Sequence, residues 1–352
     1  MIKLDEQQKL AVESPAKNIV VVAGAGSGKT TVLTERIRFL LEHGAPSNKI
    51  VAITFTNMAA EEMRQRLAEV KGIENVFIGT IHSYANSYIR KYSKVSLDEN
   101  NPKYFDEMLK KATVYCKLFT KENPKFVLID EFQDVGELEY NFIIELKAQS
   151  YFLVGDDFQN LFAFKGSDVK YFIGFINDPN FTTYYLTNNY RCCSEIVKIA
   201  QKIISQVPDK IEKDVVIKNK TTKGTVEVLS FRFLKQYLRK IDKSSSKKDW
   251  FILTRSNRDL DTIYSECKKM KIPSTTFKRS ELTLEDLDKI MKENTVKILT
   301  VHTAKGLQAP NVILYGNFPI VAKYGSAATP DERRVMYVGC TRAEQKLYIM
   351  NH

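Results

Sequence analysis

The chain has 352 residues, more than one compact core usually organises, so two domains of ordinary size are expected. Its 43% hydrophobic and 27% charged residues exclude a fibrous or disordered chain, and five scattered cysteines without a C-x-x-C pair argue against a zinc ribbon or a disulfide-built scaffold. A formal net charge of +11 favours polyanionic partners, nucleic acid first, without choosing DNA over RNA. In chain order, residues 19–23 form a short apolar strand that runs into Gly24-Ala25-Gly26-Ser27-Gly28-Lys29-Thr30, where a helix opens and continues to about residue 41. Residues 50–55 repeat the strand and residues 59–70 the helix, with Gly44 and Gly72 placed as left-handed caps after the two helices. Residues 82–92 read as helical, and the polar stretch 93–123 reads as a small insertion. Near-continuous apolar strands follow at 126–129, 151–154, 226–229, 250–254, 296–300 and 312–315, as suits parallel strands covered on both faces. Residues 243–248 are expected to form a flexible charged loop, and a boundary near 187–189 divides the chain almost evenly. The reading is α/β throughout.

The strand, glycine-rich loop and helix form the context that a phosphate-binding loop requires. Backbone amides of residues 24–28 can curl around phosphates, Lys29 can reach the terminal phosphates, and Thr30 can ligate magnesium. A second strand, residues 127–129, delivers Asp130 and Glu131 at its carboxyl end, where ligands bind in open α/β sheets. Asp130 is expected in the magnesium shell and Glu131 as the general base that polarises the attacking water. Together these residues point to nucleotide hydrolysis, with ATP and Mg2+ as cofactors.

Asp130-Glu131-Phe132-Gln133-Asp134 and Val154-Gly155-Asp156-Asp157-Phe158-Gln159 extend that engine, and the chain resembles the UvrD/Rep superfamily 1 helicases. The resemblance runs from Gln8, through Thr54-Phe55-Thr56-Asn57 and Gly79-Thr80-Ile81-His82-Ser83, to Asn189-Tyr190-Arg191, Thr300-Val301-His302 and Cys340-Thr341-Arg342-Ala343. It implies two RecA-like P-loop NTPase domains, residues 1–187 and 188–352, each a mostly parallel sheet flanked by helices. It further implies that Gln8 reads the adenine edge, Tyr190 stacks on the ring, and Thr31 stands where an arginine often flanks the base. Gln159 is expected at the terminal phosphate, with Arg191 and Arg342 as arginine fingers. Phe55, Phe162, Phe164 and Lys165 fit a strand-binding groove of aromatics and cations, joined by Thr56, Asn57, Thr80, His82, Thr300 and His302 as backbone contacts.

Several positions depart from the family pattern. Phe164 replaces a tryptophan, Phe162 a tyrosine and Lys165 an arginine, while Gln308-Ala309 replace a common Glu-Phe. Between Lys278 and Thr295, where the family usually carries a large accessory domain, only a short polar helix near residues 284–292 is expected. The resulting expectation is a compact, monomeric motor that translocates 3′ to 5′ on single-stranded or tailed duplex DNA. A second expectation is an ATP-gated DNA-binding regulatory subunit of a nuclease complex. A nuclease or a repair or replication protein is the expected partner class. The N-terminus carries no signal-peptide core and no apolar run reaches membrane-spanning length, so a cytoplasmic location is expected.

Overall fold

The structure is a computed structural model that describes residues 3–93, 97–98, 100–119, 123–208, 210–219, 224–278, 282–318 and 328–351. Its contacts divide the chain into two compact units, residues 1–23 with 28–186, and residues 24–27 with 187–352. The first unit runs α1 (Glu6–Glu13), β1 (Ile19–Ala23), α2 (Lys29–Glu42), β2 (Ile50–Thr54), α3 (Asn57–Leu67), β3 (Phe77–Thr80) and α4 (Ile81–Tyr92). It continues with α5 (Tyr104–Leu118), β4 (Phe126–Ile129), α6 (Glu137–Glu145), β5 (Ser150–Gly155), α7 (Lys170–Ile176) and β6 (Thr182–Leu186). Its sheet is wholly parallel in the order β3-β2-β4-β5-β1-β6. All five residues of β1 and of β2 are buried, as strands covered on both faces must be.

The second unit begins with the two-residue strand β7 (Asn188–Asn189), α8 (Ser194–Ile204), β8 (Val216–Ile217), β9 (Thr225–Ser230), α9 (Leu234–Asp242), β10 (Trp250–Thr254) and α10 (Asn257–Lys269). It ends with β11 (Ser274–Thr275), α11 (Leu284–Lys292), β12 (Val296–Thr300), β13 (Ala309–Tyr315), α12 (Pro330–Cys340) and β14 (Ala343–Asn351). Its six-stranded sheet is again parallel, in the order β11-β12-β10-β13-β14-β9. Two parallel α/β sheets flanked by helices are the architecture of RecA-like domains. The helix at 284–292 is the short polar one expected in place of an accessory domain, started by a capping box of Thr283 and Asp286.

Three local expectations are corrected. The second helix spans Asn57–Leu67 rather than 59–70, because Thr56 accepts the N–H of Ala59 and so starts the helix early. Gly72 is left-handed at φ +90°, yet it opens a 3-10 turn at Ile73–Asn75 instead of capping that helix. The stretch 93–123 is not merely polar: α5 packs Met108, Leu109, Ala112 and Cys116 into the first unit at helical spacing, although several residues at its ends lie outside the described ones. Gly44 takes the expected place, left-handed at φ +81° with its N–H on the Leu41 carbonyl. Within 243–248, Lys247 N–H bonds to Asn294 Oδ1 at 2.6 Å and Asn294 Nδ2 to the Ser245 carbonyl at 3.2 Å, so side-chain bonds tie down the predicted loop.

Candidate functional site

In the first unit, α2 begins at Lys29 directly after Gly28, whose φ of +89° suits only glycine. A Cβ on Gly28 would stand 2.6 Å from Gln8 Nε2, so the glycine also keeps the Gln8 amide close to the loop. Gln8 is the third residue of α1 and closes a capping box: its N–H donates to Asp5 Oδ1 at 2.8 Å and its Oε1 accepts the Asp5 N–H at 3.0 Å. That bond leaves the Nε2 end to face Gly28. Thr31 lies half-buried in the first turn of α2.

Behind the loop the polar side chains converge. Thr30 Oγ1 donates to Asp130 Oδ2 at 3.1 Å, and Lys29 Nζ lies 4.0 Å from Asp156 Oδ2. Asp130, at the end of β4, is buried, and that burial pushes its carboxyl up to about 6, with Glu131 adding and Lys29 and Thr30 opposing. Glu131 adopts the left-handed φ of +52°, unusual for a residue with a long side chain and a mark of a constrained site. Gln133, fully buried, donates through Nε2 to Glu131 Oε2, while its Oε1 accepts the Asp156 N–H at 2.8 Å. Gln159 Nε2 donates to Asp156 Oδ2 at 2.6 Å. Gln133 therefore links both acidic segments, a role that reading the sequence did not assign.

This donor set fits a magnesium nucleotide: a glycine loop at a helix N-terminus, one lysine, a hydroxyl and a buried carboxylate whose proton affinity a cation would lower. Among the described residues no group of three or more His, Cys, Asp or Glu could hold a metal alone. Thr30 and Asp130 would thus share the ion with phosphate and water oxygens, the usual habit of magnesium.

In the second unit, which includes Gly24–Ser27, Ser27 Oγ donates to the Gly24 carbonyl at 2.8 Å. The Ala25 carbonyl accepts from Asn189 Nδ2 at 2.8 Å and the Gly26 carbonyl from the Tyr190 N–H at 3.0 Å. The Tyr190 ring is exposed, as a stacking platform needs. Arg191 Nη1 donates to the Thr341 carbonyl at 3.2 Å, while its buried Nε has no acceptor among the described residues. Arg342 is enclosed, donating to the carbonyls of Val338 and Leu307 and to Thr341 Oγ1 at 3.1–3.3 Å.

The carboxyl edge of the first sheet also forms a cleft of about 320 Å³ lined by Phe55, Thr80, His82, Phe162 and Lys165 together with Asp130 and Glu131. Phe55 and Phe162 stack with centroids 4.9 Å apart, and Phe164 stands 6.2 Å beyond and 71% exposed. Lys165 Nζ sits 5.5 and 5.9 Å from the Phe162 and Phe164 rings. Thr56 and Thr80 are the N-caps of α3 and α4, and Asn57 is the exposed first residue of α3. His82 rests edge-on against Phe105 at 4.8 Å; burial lowers its pKa, against the carboxylates of Glu139 and Asp106. Phe105, on α5, is a lining residue that the polar reading of its segment missed. In the second unit, Thr300 caps the turn that follows β12, its Oγ1 accepting the Thr303 N–H at 3.2 Å, and His302 is half-buried in that turn.

Residues 4–118 and 97–180 match the sequence model of the UvrD/REP helicase N-terminal domain, and residues 276–352 that of the UvrD-like helicase C-terminal domain. The chain is 26% identical over 460 residues to a probable DNA helicase of Mycoplasma pneumoniae, covering all of this chain and 84% of that protein. It is 32% identical over 226 residues to the Gabija protein GajB of Bacillus cereus, covering 51% and 45% of the two chains. It is 27% identical over 292 residues to DNA helicase II of Escherichia coli, covering 57% and 40%. Apart from the first, the chain spans about half or less of the length of these relatives.

Proposed function

The chain belongs to the UvrD/Rep family of DNA helicases, and on that premise we propose that it is an ATP-driven motor that translocates 3′ to 5′ on single-stranded DNA and opens tailed duplexes. One observation carries this reading: Asp130 and Glu131 share the walls of a single cleft with Phe55, Phe162, Lys165, Thr80 and His82. A strand stacked on the phenylalanines would bear on the wall that holds the catalytic carboxylates, so turnover would answer to DNA. When bound, magnesium ATP supplies the phosphoanhydride bond and the charge that the loop is built to meet. Lys29 offsets phosphate charge at the head of α2, and Thr30 with Asp130 holds the ion. Glu131, steadied by Gln133, takes the proton from water. Arg191 and Arg342 offset charge that develops in the transition state, and Tyr190 and Gln8 hold the base.

The test is ATP hydrolysis with and without single-stranded DNA. Turnover should rise severalfold with DNA, vanish in Lys29→Ala, and require more DNA for half-maximal stimulation in Phe162→Ala. Turnover indifferent to DNA, or unchanged in Lys29→Ala, would sink the proposal. Displacement of streptavidin from one end only of labelled strands reports the polarity.

Among the described residues α11 is the one helix between β11 and β12, and this brief connection favours a second reading, an ATP-gated DNA-binding regulatory subunit that licenses a nuclease without travelling. Robust streptavidin displacement by the purified chain would count against it.

A further inference from the structure

Asn189 is buried, with 4% of its surface exposed, and every polar atom of its side chain is engaged. Its Oδ1 accepts the N–H groups of Arg191 at 3.0 Å and Cys192 at 2.8 Å, the closed turn that an asparagine makes with the residues after it. Its Nδ2 donates to the Ala25 carbonyl at 2.8 Å, inside the group of residues 24–27 that belongs to the same compact unit. Its own carbonyl accepts the Lys218 N–H at 2.9 Å, which ties β7 to β8. Arg191 leaves this turn with its carbonyl bonded to Asn219 Nδ2 at 2.8 Å and its Nη1 on the Thr341 carbonyl. The same glycine loop is tight here: a Cβ on Gly26 would lie 2.7 Å from Arg191 Cβ and 3.3 Å from Asn189 Oδ1.

We propose that Asn189 is the positioning residue that fixes Arg191 relative to the phosphate loop, so that the backbone of the loop and the aim of the arginine are set by one side chain. The inference rests on the reading of Arg191 as a group that acts on the nucleotide. A short, doubly accepting carbonyl leaves the backbone of Arg191 one conformation, and the amide on Ala25 makes that conformation depend on the shape of the loop. Alanine at 189 would free two buried N–H groups and one carbonyl, and each of these costs stability unless it finds a new partner. Serine would keep an acceptor for the turn while losing the reach to Ala25.

The experiment is steady-state ATP hydrolysis by the full chain with saturating single-stranded DNA, for Asn189→Ala, Asn189→Ser, Arg191→Ala and the double variant N189A/R191A. Asn189→Ala should lower kcat by about 10- to 100-fold, the scale of a misplaced catalytic group, while KM for ATP changes little. The double variant should be no slower than Arg191→Ala alone, because Asn189 acts through the arginine. Asn189→Ser should fall between wild type and Asn189→Ala and, if the alanine variant does not fold, carries the comparison with its own R191A double. Losses that multiply in the double variant, or a rise in KM with kcat unchanged, would overturn the inference. An Arg191→Ala variant with undiminished kcat would instead refute the reading of Arg191 itself.

Discussion

Residues that must sit where physical chemistry penalises them show what the fold is built around. Lys297, in β12, is fully enclosed, and its Nζ donates to the carbonyls of Glu293 and Thr295 and to Thr295 Oγ1 at 2.8–2.9 Å. Burial pulls its pKa from 10.5 to about 8, with Lys248 adding to the effect and Glu293 opposing it. The folded value lies below the unfolded one, so between about pH 8 and 10.4 the folded chain binds fewer protons than the unfolded chain. The contribution of this group to stability is therefore present above the unfolded pKa and lost as pH falls through the folded one. Denaturant midpoints should show wild type gaining on Lys297→Met as pH rises from about 8 to 10; parallel curves would mean that the ammonium is held without penalty. Nothing in the sequence marked this lysine, because a charged residue in a strand reads as solvent-facing until its neighbours are known. Gly28 was legible for the opposite reason, since the φ of +89° and the Gln8 amide 2.6 Å from its missing Cβ are what a glycine in that motif announces.

At the scale of elements, the carboxyl edge of the first sheet is where β2 and β3 each hand over to a helix, and both handovers use a threonine cap. Thr56 accepts the N–H of Ala59 at 3.1 Å and Thr80 the N–H of Ser83 at 3.2 Å. Each cap therefore holds a helix N-terminus, the positive end that attracts phosphate, at the edge where the aromatic cleft opens. Thr80→Ala should cost about 1 kcal/mol in denaturation and weaken DNA binding together, whereas Thr80→Ser should keep both. Tight binding by a destabilised Thr80→Ala would separate the cap from the ligand. The parallel strands of both sheets were legible because strands buried on both faces must be apolar throughout, as in residues 19–23 and 250–254. By contrast, α5 was hidden because Phe105, Met108, Leu109, Ala112 and Cys116 follow the helical period among Lys103, Lys110, Lys111 and Lys117. Gln133 was hidden for another reason: a side chain that bridges two motifs is visible only once both strand ends are side by side.

For the whole molecule, the net charge of +11 is not evenly shared. Residues 1–186 hold 22 Lys and Arg against 24 Asp and Glu, and residues 187–352 hold 31 against 18. The first unit brings most of the candidate aromatic contacts and its own carboxylates, while the second brings the field. Fields between exposed charges reach about 10 Å at 0.1 M salt and about 3 Å at 1 M, so steering depends on where cations lie and not on their total. Arg232 and Arg258 are exposed in segments that follow β9 and β10, at the carboxyl edge of the second sheet, β10 lying beside β12 and its Thr300 and β9 forming the far edge strand. Lys17 and Lys71 are exposed in the first unit in the segments that lead into β1 and β3, on the amino side of its sheet. Stopped-flow association with single-stranded DNA should slow severalfold for R232E/R258E at low salt and converge on wild type as salt approaches about 0.5 M. The same change of charge in K17E/K71E should leave the rate nearly unaltered. If both pairs slowed association equally, the total charge and not its concentration in the second half would govern encounter with the strand.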